Sequence, residues 1–320
     1  MSTEIPLLYG AGQFGVPGPQ SIGARVNTIE DAQKIIDVFT SHGHRLVDTA
    51  RIYGGGTSEE IISQLDLKGC AVDTKVYPSA PGDFTPDGIR ASFEISMKAL
   101  GNTKIRIFYL HKPDRSVPIK DTLRVINELY NKCLFEEFGV SNYNAWEVAE
   151  MVGIADSNGW VRPTVYQGLY NALERSVETE LFPCLRHFGI RFYAYSPLAS
   201  GLLAGKLLSE ADMQTGRWDP NISPIAGFLR AKYSPFLPIL RELKVVLDKQ
   251  GIPLSEAAHR WLQHHSGLQP GDGIIIGASN VDQLENNLKE NEGGPLPDDV
   301  VTLLENAWGQ AKGVAPHYAF

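Results

Sequence analysis

Four side chains in the first third of the chain have the types and spacing for a proton-transfer reaction: Asp48, Tyr53, Lys75 and His111. Leu46 and Val47 end a short apolar run, so Asp48 stands where a strand stops and Tyr53 follows on the next loop. Gly54, Gly55 and Gly56 then let the backbone turn, and Thr57 or Ser58, with acids behind, suits the cap of a helix. Cys70 to Lys75 is a strand ending in a lysine, and Ile105 to His111 is a strand ending in a histidine. Singly, each has an ordinary explanation: a turn residue, a surface phenol, a solvated lysine, a histidine satisfied by hydrogen bonds. Jointly they describe an acid. A free phenol titrates near pH ~10. A neighbouring ammonium favours phenolate and draws that value down, while a carboxylate beside the lysine keeps the ammonium in place. The tyrosine then donates a proton near neutral pH, and the histidine orients a carbonyl oxygen. This set protonates an oxygen but supplies no reductant, so a redox cofactor is implied.

The four groups meet only if their strands are parallel. The periodicity predicts eight short, nearly continuously apolar strands: one within residues 5–15, then Arg45–Asp48, Cys70–Lys75, Ile105–His111, Phe135–Val140, Pro163–Gln167, Ile190–Tyr195 and Gly273–Gly277. Amphipathic stretches separate them: 28–41, 58–65, 85–100, 119–133, 145–157, 177–188 and 281–291. Strict alternation over this length predicts a (β/α)8 TIM barrel, a single domain spanning residues 1–320, with a doubly wound sheet as the alternative. An insertion from 199 to about 272 falls between strands seven and eight, with helices expected around 235–249 and 254–265. An extra helix, 298–311, follows the last barrel helix. In a barrel, chemistry gathers at the strand C-termini. Those positions read Asp48, Lys75, His111, Ser141-Asn142, Gln167, Tyr195-Ser196 and Gly277-Ala278-Ser279.

Gly10-Ala-Gly12-Gln-Phe-Gly15 matches a dinucleotide-binding G-x-G-x-x-G, but that motif needs a helix opening at its glycines. Pro17 and Pro19 follow instead, so a strand and an irregular loop are expected. The chain has 320 residues, 43% of them hydrophobic and 21% charged, which supports a full core and excludes a disordered chain. Its net charge of -8, without a basic block, argues against nucleic acid. The three cysteines, Cys70, Cys133 and Cys184, have neither metal-ligand spacing nor an even number for a disulfide framework. Met1 to Pro6 shows no secretory signal and no apolar run reaches membrane-spanning length, so a cytoplasmic protein in a reducing compartment is expected.

The Asp48, Tyr53, Lys75 and His111 pattern resembles the catalytic tetrad of the aldo-keto reductases, and the resemblance runs from about Leu8 to the C-terminus. Tyr53-Gly-Gly-Gly-Thr-Ser-Glu59, Gly139-Val-Ser-Asn-Tyr143, Tyr166-Gln-Gly-Leu-Tyr-Asn171, Glu178-Thr-Glu-Leu-Phe-Pro-Cys-Leu-Arg186 and Phe192 to Lys206 are similar to the aflatoxin-aldehyde reductase branch. The resemblance implies NADPH-dependent reduction of aldehydes, with NADPH extended across the barrel mouth. It also leaves an alternative, a related barrel that senses NADPH as a channel-associated subunit with little turnover. By analogy, Ser141, Asn142 and Gln167 hold the carboxamide and Tyr195 stacks on the nicotinamide. Ser196, Pro197, Leu198, Gly201, Leu203 and Lys206 wrap the pyrophosphate. Gly277, Ser279, Gln283, Asn286 and Asn287 take the adenosine end. That last segment has no basic residue, and Arg217, with Lys206, is the expected contact to the 2′-phosphate. Arg230 matches a position suited to a carboxylate-bearing aldehyde. Phe14, Trp218 and the tail 315–320 are candidate walls of the substrate pocket. A homodimer is what this branch suggests.

Overall fold

The structure is a computed structural model that describes residues 5–18, 21, 23–209, 211–214, 218–221, 223 and 225–319. Eight parallel strands close into a barrel: β1 Leu7–Gly10, β2 Leu46–Asp48, β3 Ala71–Val76, β4 Ile105–Leu110, β5 Phe135–Ser141, β6 Pro163–Leu169, β7 Arg191–Tyr195 and β8 Gly273–Ile276. Each strand pairs with its sequence neighbours, and β8 returns to β1 through Leu7–Ile274, Leu8–Ile275 and Tyr9–Ile276. The continuous apolar runs are thereby explained, because alternate residues enter two different cores. Leu8, Ile107, Tyr109, Val165, Tyr193 and Ile275 fill the barrel interior. Their strand neighbours pack outward against the helices. A closed barrel excludes the doubly wound sheet.

The outer ring holds α1 Ile29–Ser41, α2 Thr57–Ile62, α3 Pro86–Leu100, α4 Ile119–Asn131, α5 Ala145–Asn158 and α6 Leu181–Phe188. Between β7 and β8 lie α7 Ala226–Tyr233, α8 Leu237–Lys249 and α9 Leu254–His264, followed after β8 by α10 Val281–Asn291 and α11 Asp298–Ala311. Three local expectations are corrected. Helix α6 starts later than residue 177 because Glu178 is tied down by Tyr170 and Arg175, leaving a short 3-10 turn at Ser176–Glu178. The insertion contains α7, which the sequence pattern did not separate from its surroundings. Neither Thr57 nor Ser58 caps α2; Gly56 stands there at φ 96°, and both hydroxyls are spent on neighbouring loops.

Below the interior layer, Asp73 is fully buried and accepts Arg106 Nε at 2.8 Å and Nη2 at 2.5 Å. Burial pushes the Asp73 carboxyl up to about 6, against the pull of Arg106. A cavity opens at the other end of the strands, where Asp48, His111, Ser141, Gln167 and Tyr195 stand. No helix among the described residues is long and apolar enough to cross a membrane.

Candidate active site

The parallel register brings Asp48 and Lys75 together. Asp48 pairs with Asp73 along the β2–β3 ladder, so Lys75 stands one inward-facing step higher on β3. Its ammonium is fully buried, 2.6 Å from Asp48 Oδ2 and 2.7 Å from the Thr49 carbonyl. Asp48 Oδ1 accepts the amide of Gln167 at 2.8 Å. Burial pulls the Lys75 ammonium down, but Asp48, Tyr53 and Asp73 outweigh it and hold it above the usual lysine value.

Tyr53 is held over this pair by its loop. Gly54 and Gly55 adopt φ 59° and 63°, a bend open to residues without a β-carbon. Glu59 anchors the far side, accepting Arg51 at 2.7 Å and Thr74 Oγ1 at 2.6 Å, while Arg51 also donates to the Gly56 carbonyl. The Lys75 ammonium consequently lies 5.1 Å from the Tyr53 ring centre. His111 presents its ring edge-on to Tyr53, with centroids 5.7 Å apart, and to Tyr77 at 5.4 Å. The sequence led us to expect a lowered phenol. Here burial dominates and raises Tyr53 above the usual tyrosine value, with Lys75 pulling the other way. Burial, aided by Lys75 and Lys112, holds His111 well below the ordinary histidine value, so the imidazole is neutral.

These groups open on a cavity of about 1660 Å3. Ordinary small-molecule pockets run to ~300–1,000 Å3, so this one has room for an extended cofactor together with a substrate. Asp48, Tyr53, His111, Ser141, Asn142, Gln167 and Tyr195 line it at the strand ends, and Lys75 lies beneath. Ser196, Pro197, Leu198, Gly201 and Lys206 line it after β7, and Gly277, Ser279, Gln283, Asn286 and Asn287 after β8. Several of these positions are backbone-strained. Asn142, Ser196, Ala199 and Ser200 have φ of 64°, 58°, 47° and 59°, a region costly for residues with a β-carbon and characteristic of binding sites. Tyr195 Oη donates to Asn142 Oδ1 at 2.9 Å, and the Asn142 amide donates to the His111 carbonyl at 2.9 Å. The strained turn, the tyrosine and the histidine strand thus form one network.

Other expected residues lie elsewhere. Leu203 is fully buried in the core behind the β7 loop and does not reach the cavity. Phe14 is fully buried, its ring 5.3 Å from Tyr9, because an aromatic just beyond a strand finds more apolar surface beneath the barrel rim than above it. Arg230 turns away from the cavity, donating to the Met213 carbonyl at 2.7 Å and the Trp218 carbonyl at 3.0 Å. Trp218 does line the cavity, against Tyr233. The tail is turned aside: Tyr318 Oη donates to Glu180 at 2.7 Å and accepts the Ala145 amide at 3.0 Å. Arg217 and Phe320 lie outside the described residues. Lining residues not anticipated include Gly12, Ile52, Tyr77, Lys112, Ser255 and His259. Lys112 was the most accessible of these to sequence reasoning, since it directly follows His111 at the end of β4.

The aldo/keto reductase family model matches residues 6–308. An aldo-keto reductase of Pseudocercospora fijiensis is 42% identical over 298 residues, covering 89% of this chain and all of that protein, 100%. The human aldo-keto reductase family 7 member A3 is 41% identical, covering 95% of this chain and 96% of its own length. The human aflatoxin B1 aldehyde reductase member 4 is 39% identical over the same shares, 95% and 96%. With a closed eight-stranded barrel and this match over nearly its whole length, the chain belongs to the aldo/keto reductase family of oxidoreductases.

Proposed function

We propose that this protein reduces aldehydes to alcohols with NADPH, using Tyr53 as the proton donor. The observation that supports this most is the buried Lys75–Asp48 pair set directly beneath the Tyr53 phenol, with a neutral His111 beside it. When bound, the nicotinamide cofactor would supply hydride to the carbonyl carbon. Tyr53 gives its proton to the carbonyl oxygen as negative charge develops there. Lys75, kept charged by Asp48, stabilises the phenolate left behind. His111, held neutral, donates a hydrogen bond that orients the same oxygen without adding a competing acid. Gln167 has its amide nitrogen committed to Asp48, which leaves its carbonyl oxygen for the carboxamide of the cofactor. Tyr195 forms the platform for the nicotinamide ring. Lys206, exposed and cavity-lining, faces the pyrophosphate.

The direct test is NADPH oxidation followed at 340 nm against succinic semialdehyde, 4-nitrobenzaldehyde, a dialdehyde and a ketone, each repeated with NADH. Turnover with NADPH supports the reading, and tight NADPH binding without turnover on any of them moves the protein to the sensor role. The pH profile supplies a second check. His111 is neutral already because its conjugate acid is held far below the usual value, and Tyr53 keeps its proton because its value is raised. Between about pH 6 and 8, kcat/KM is therefore expected to show no limb from either group. A limb near the ordinary histidine value in that window, absent in His111→Gln, contradicts a neutral His111.

With Arg230 committed to backbone carbonyls, the cation best placed for an acidic substrate is Lys112. It lines the cavity beside His111, its ammonium 4.3 Å from the Tyr77 ring centre, and no carboxylate pairs with it among the described residues. Lys112→Met is expected to raise KM for succinic semialdehyde about tenfold, the scale of one charge-assisted bond, while leaving 4-nitrobenzaldehyde within about twofold. Equal effects on both substrates rule this role out.

A further inference from the structure

The turn after β7 lines the cavity through Ser196, Pro197, Leu198, Ser200 and Gly201, and three of its residues, Ser196, Ala199 and Ser200, hold positive φ despite carrying a β-carbon. Such a backbone persists only where its surroundings over-determine it. The loop after β6 does this from behind. The Tyr170 amide donates to the Tyr195 carbonyl at 3.3 Å, and Asn171 Nδ2 donates to the Ser196 carbonyl at 3.1 Å. Asn171 is fully buried and cannot rotate freely. Its Oδ1 accepts the amides of Leu173 and Glu174 at 3.0 and 3.1 Å, and its Nδ2 also donates to Glu174 Oε2 at 2.8 Å.

Glu174 is buried in turn, and its two oxygens are engaged from α7 in the insertion. Lys232 Nζ lies 2.7 Å from Oε1, and Tyr233 Oη donates to Oε2 at 3.1 Å. Tyr233 is itself fixed, packed between Trp218 and Phe236 with ring centres 5.6 and 5.9 Å away. A carboxylate gripped on both oxygens from another element keeps the Asn171 amide aimed at Ser196. We propose that Glu174 is a positioning residue for the cofactor: by locking Asn171 onto the Ser196 carbonyl, it presets the strained turn that wraps the pyrophosphate and couples α7 to cofactor affinity. This rests on the cofactor reading above. A turn set before the ligand arrives spares the ordering cost that binding would otherwise carry.

Glu174→Gln, alone and combined with Lys232→Met, tests this. In the single variant the new side chain turns its oxygen to Lys232, which sets its amide nitrogen against Asn171 Nδ2, donor against donor, and frees Asn171 from Ser196. Without the Lys232 ammonium the oxygen can face Asn171 again. By titration calorimetry the Kd for NADPH is expected to rise about tenfold in the single variant and to return within about threefold of wild type in the double. The loss falls on Kd and not on the single-turnover rate at saturating NADPH. In the cofactor-free protein, hydrogen exchange at the amides of Ala199, Gly201 and Leu203 speeds up in the single variant alone, while the barrel strands stay protected. Exchange rising throughout the barrel overturns the proposal, showing a merely structural acid. So does a double variant that binds NADPH as weakly as the single one. Faster exchange in the turn with an unchanged Kd overturns it too, because the turn then has no part in cofactor affinity. If the wild-type protein does not bind NADPH, the cofactor reading itself falls and takes this proposal with it.

Discussion

Replacing Tyr53 by phenylalanine is expected to lower kcat by roughly 10²- to 10⁴-fold, the usual contribution of a positioned general acid, while NADPH affinity stays within about twofold. The separation follows from how the ring is held. The loop is fixed by backbone and neighbouring side chains: the Tyr53 amide to Ala50, Thr57 Oγ1 to the Gly54 carbonyl, and Arg51 to Glu59. The ring's contacts to Lys75 and His111 use its face and edge, which phenylalanine retains. The hydroxyl is lost, and with it the hydrogen bond to Lys75 and the transferable proton, so the loss belongs in kcat, with single-turnover rates falling in parallel. Turnover within about threefold of wild type removes Tyr53 from the role of acid.

Lys75→Met is expected to produce the largest combined loss. Asp48 and Lys75 are both buried, and removing the cation leaves an uncompensated carboxylate, a change that costs about 3–5 kcal/mol of stability. The Thr49 carbonyl loses its donor at the same time. Turnover should vanish as well, because Tyr53 loses the charge that stabilises its phenolate. The double variant Lys75→Met, Asp48→Asn separates the two effects. It removes the stranded charge, keeps an oxygen for Gln167, and should regain part of the stability seen in urea unfolding without regaining turnover. A single variant as stable as wild type would show that the pair is not buried as described.

Much of this architecture is legible in the chain. Strands such as Ile105–Leu110 are apolar at nearly every position because a barrel strand serves two cores, and that pattern is local. The polar group ending each strand is local too, so Asp48, Lys75, His111 and Gln167 could be named before any coordinates. What escaped depends on partners distant in sequence. Arg230 reads as a free cation until the carbonyls of Met213 and Trp218 are found beside it. Phe14 reads as a pocket wall until Tyr9 is seen packed against it, with Phe39 on Tyr9 in turn. Helix α7 is short and carries Phe228 on its exposed side, which blurs its periodicity. His259 and Glu290 are 31 residues apart on different helices, and neither one's neighbourhood in the sequence announces the other. The direction of the Tyr53 shift escaped for a related reason: the charges near the phenol were readable, but the extent of its burial was not.

The pairing of β8 with β1 has a consequence for how the protein is made. The first strand leaves the ribosome at residue 7, while its partner at Gly273–Ile276 emerges only after most of the chain has been synthesised. Until then the nascent sheet has two open edges, each presenting unpaired amides and carbonyls to other chains. Translation pausing before residue 276, or a premature stop there, should therefore leave a species prone to edge-to-edge association and dependent on chaperones.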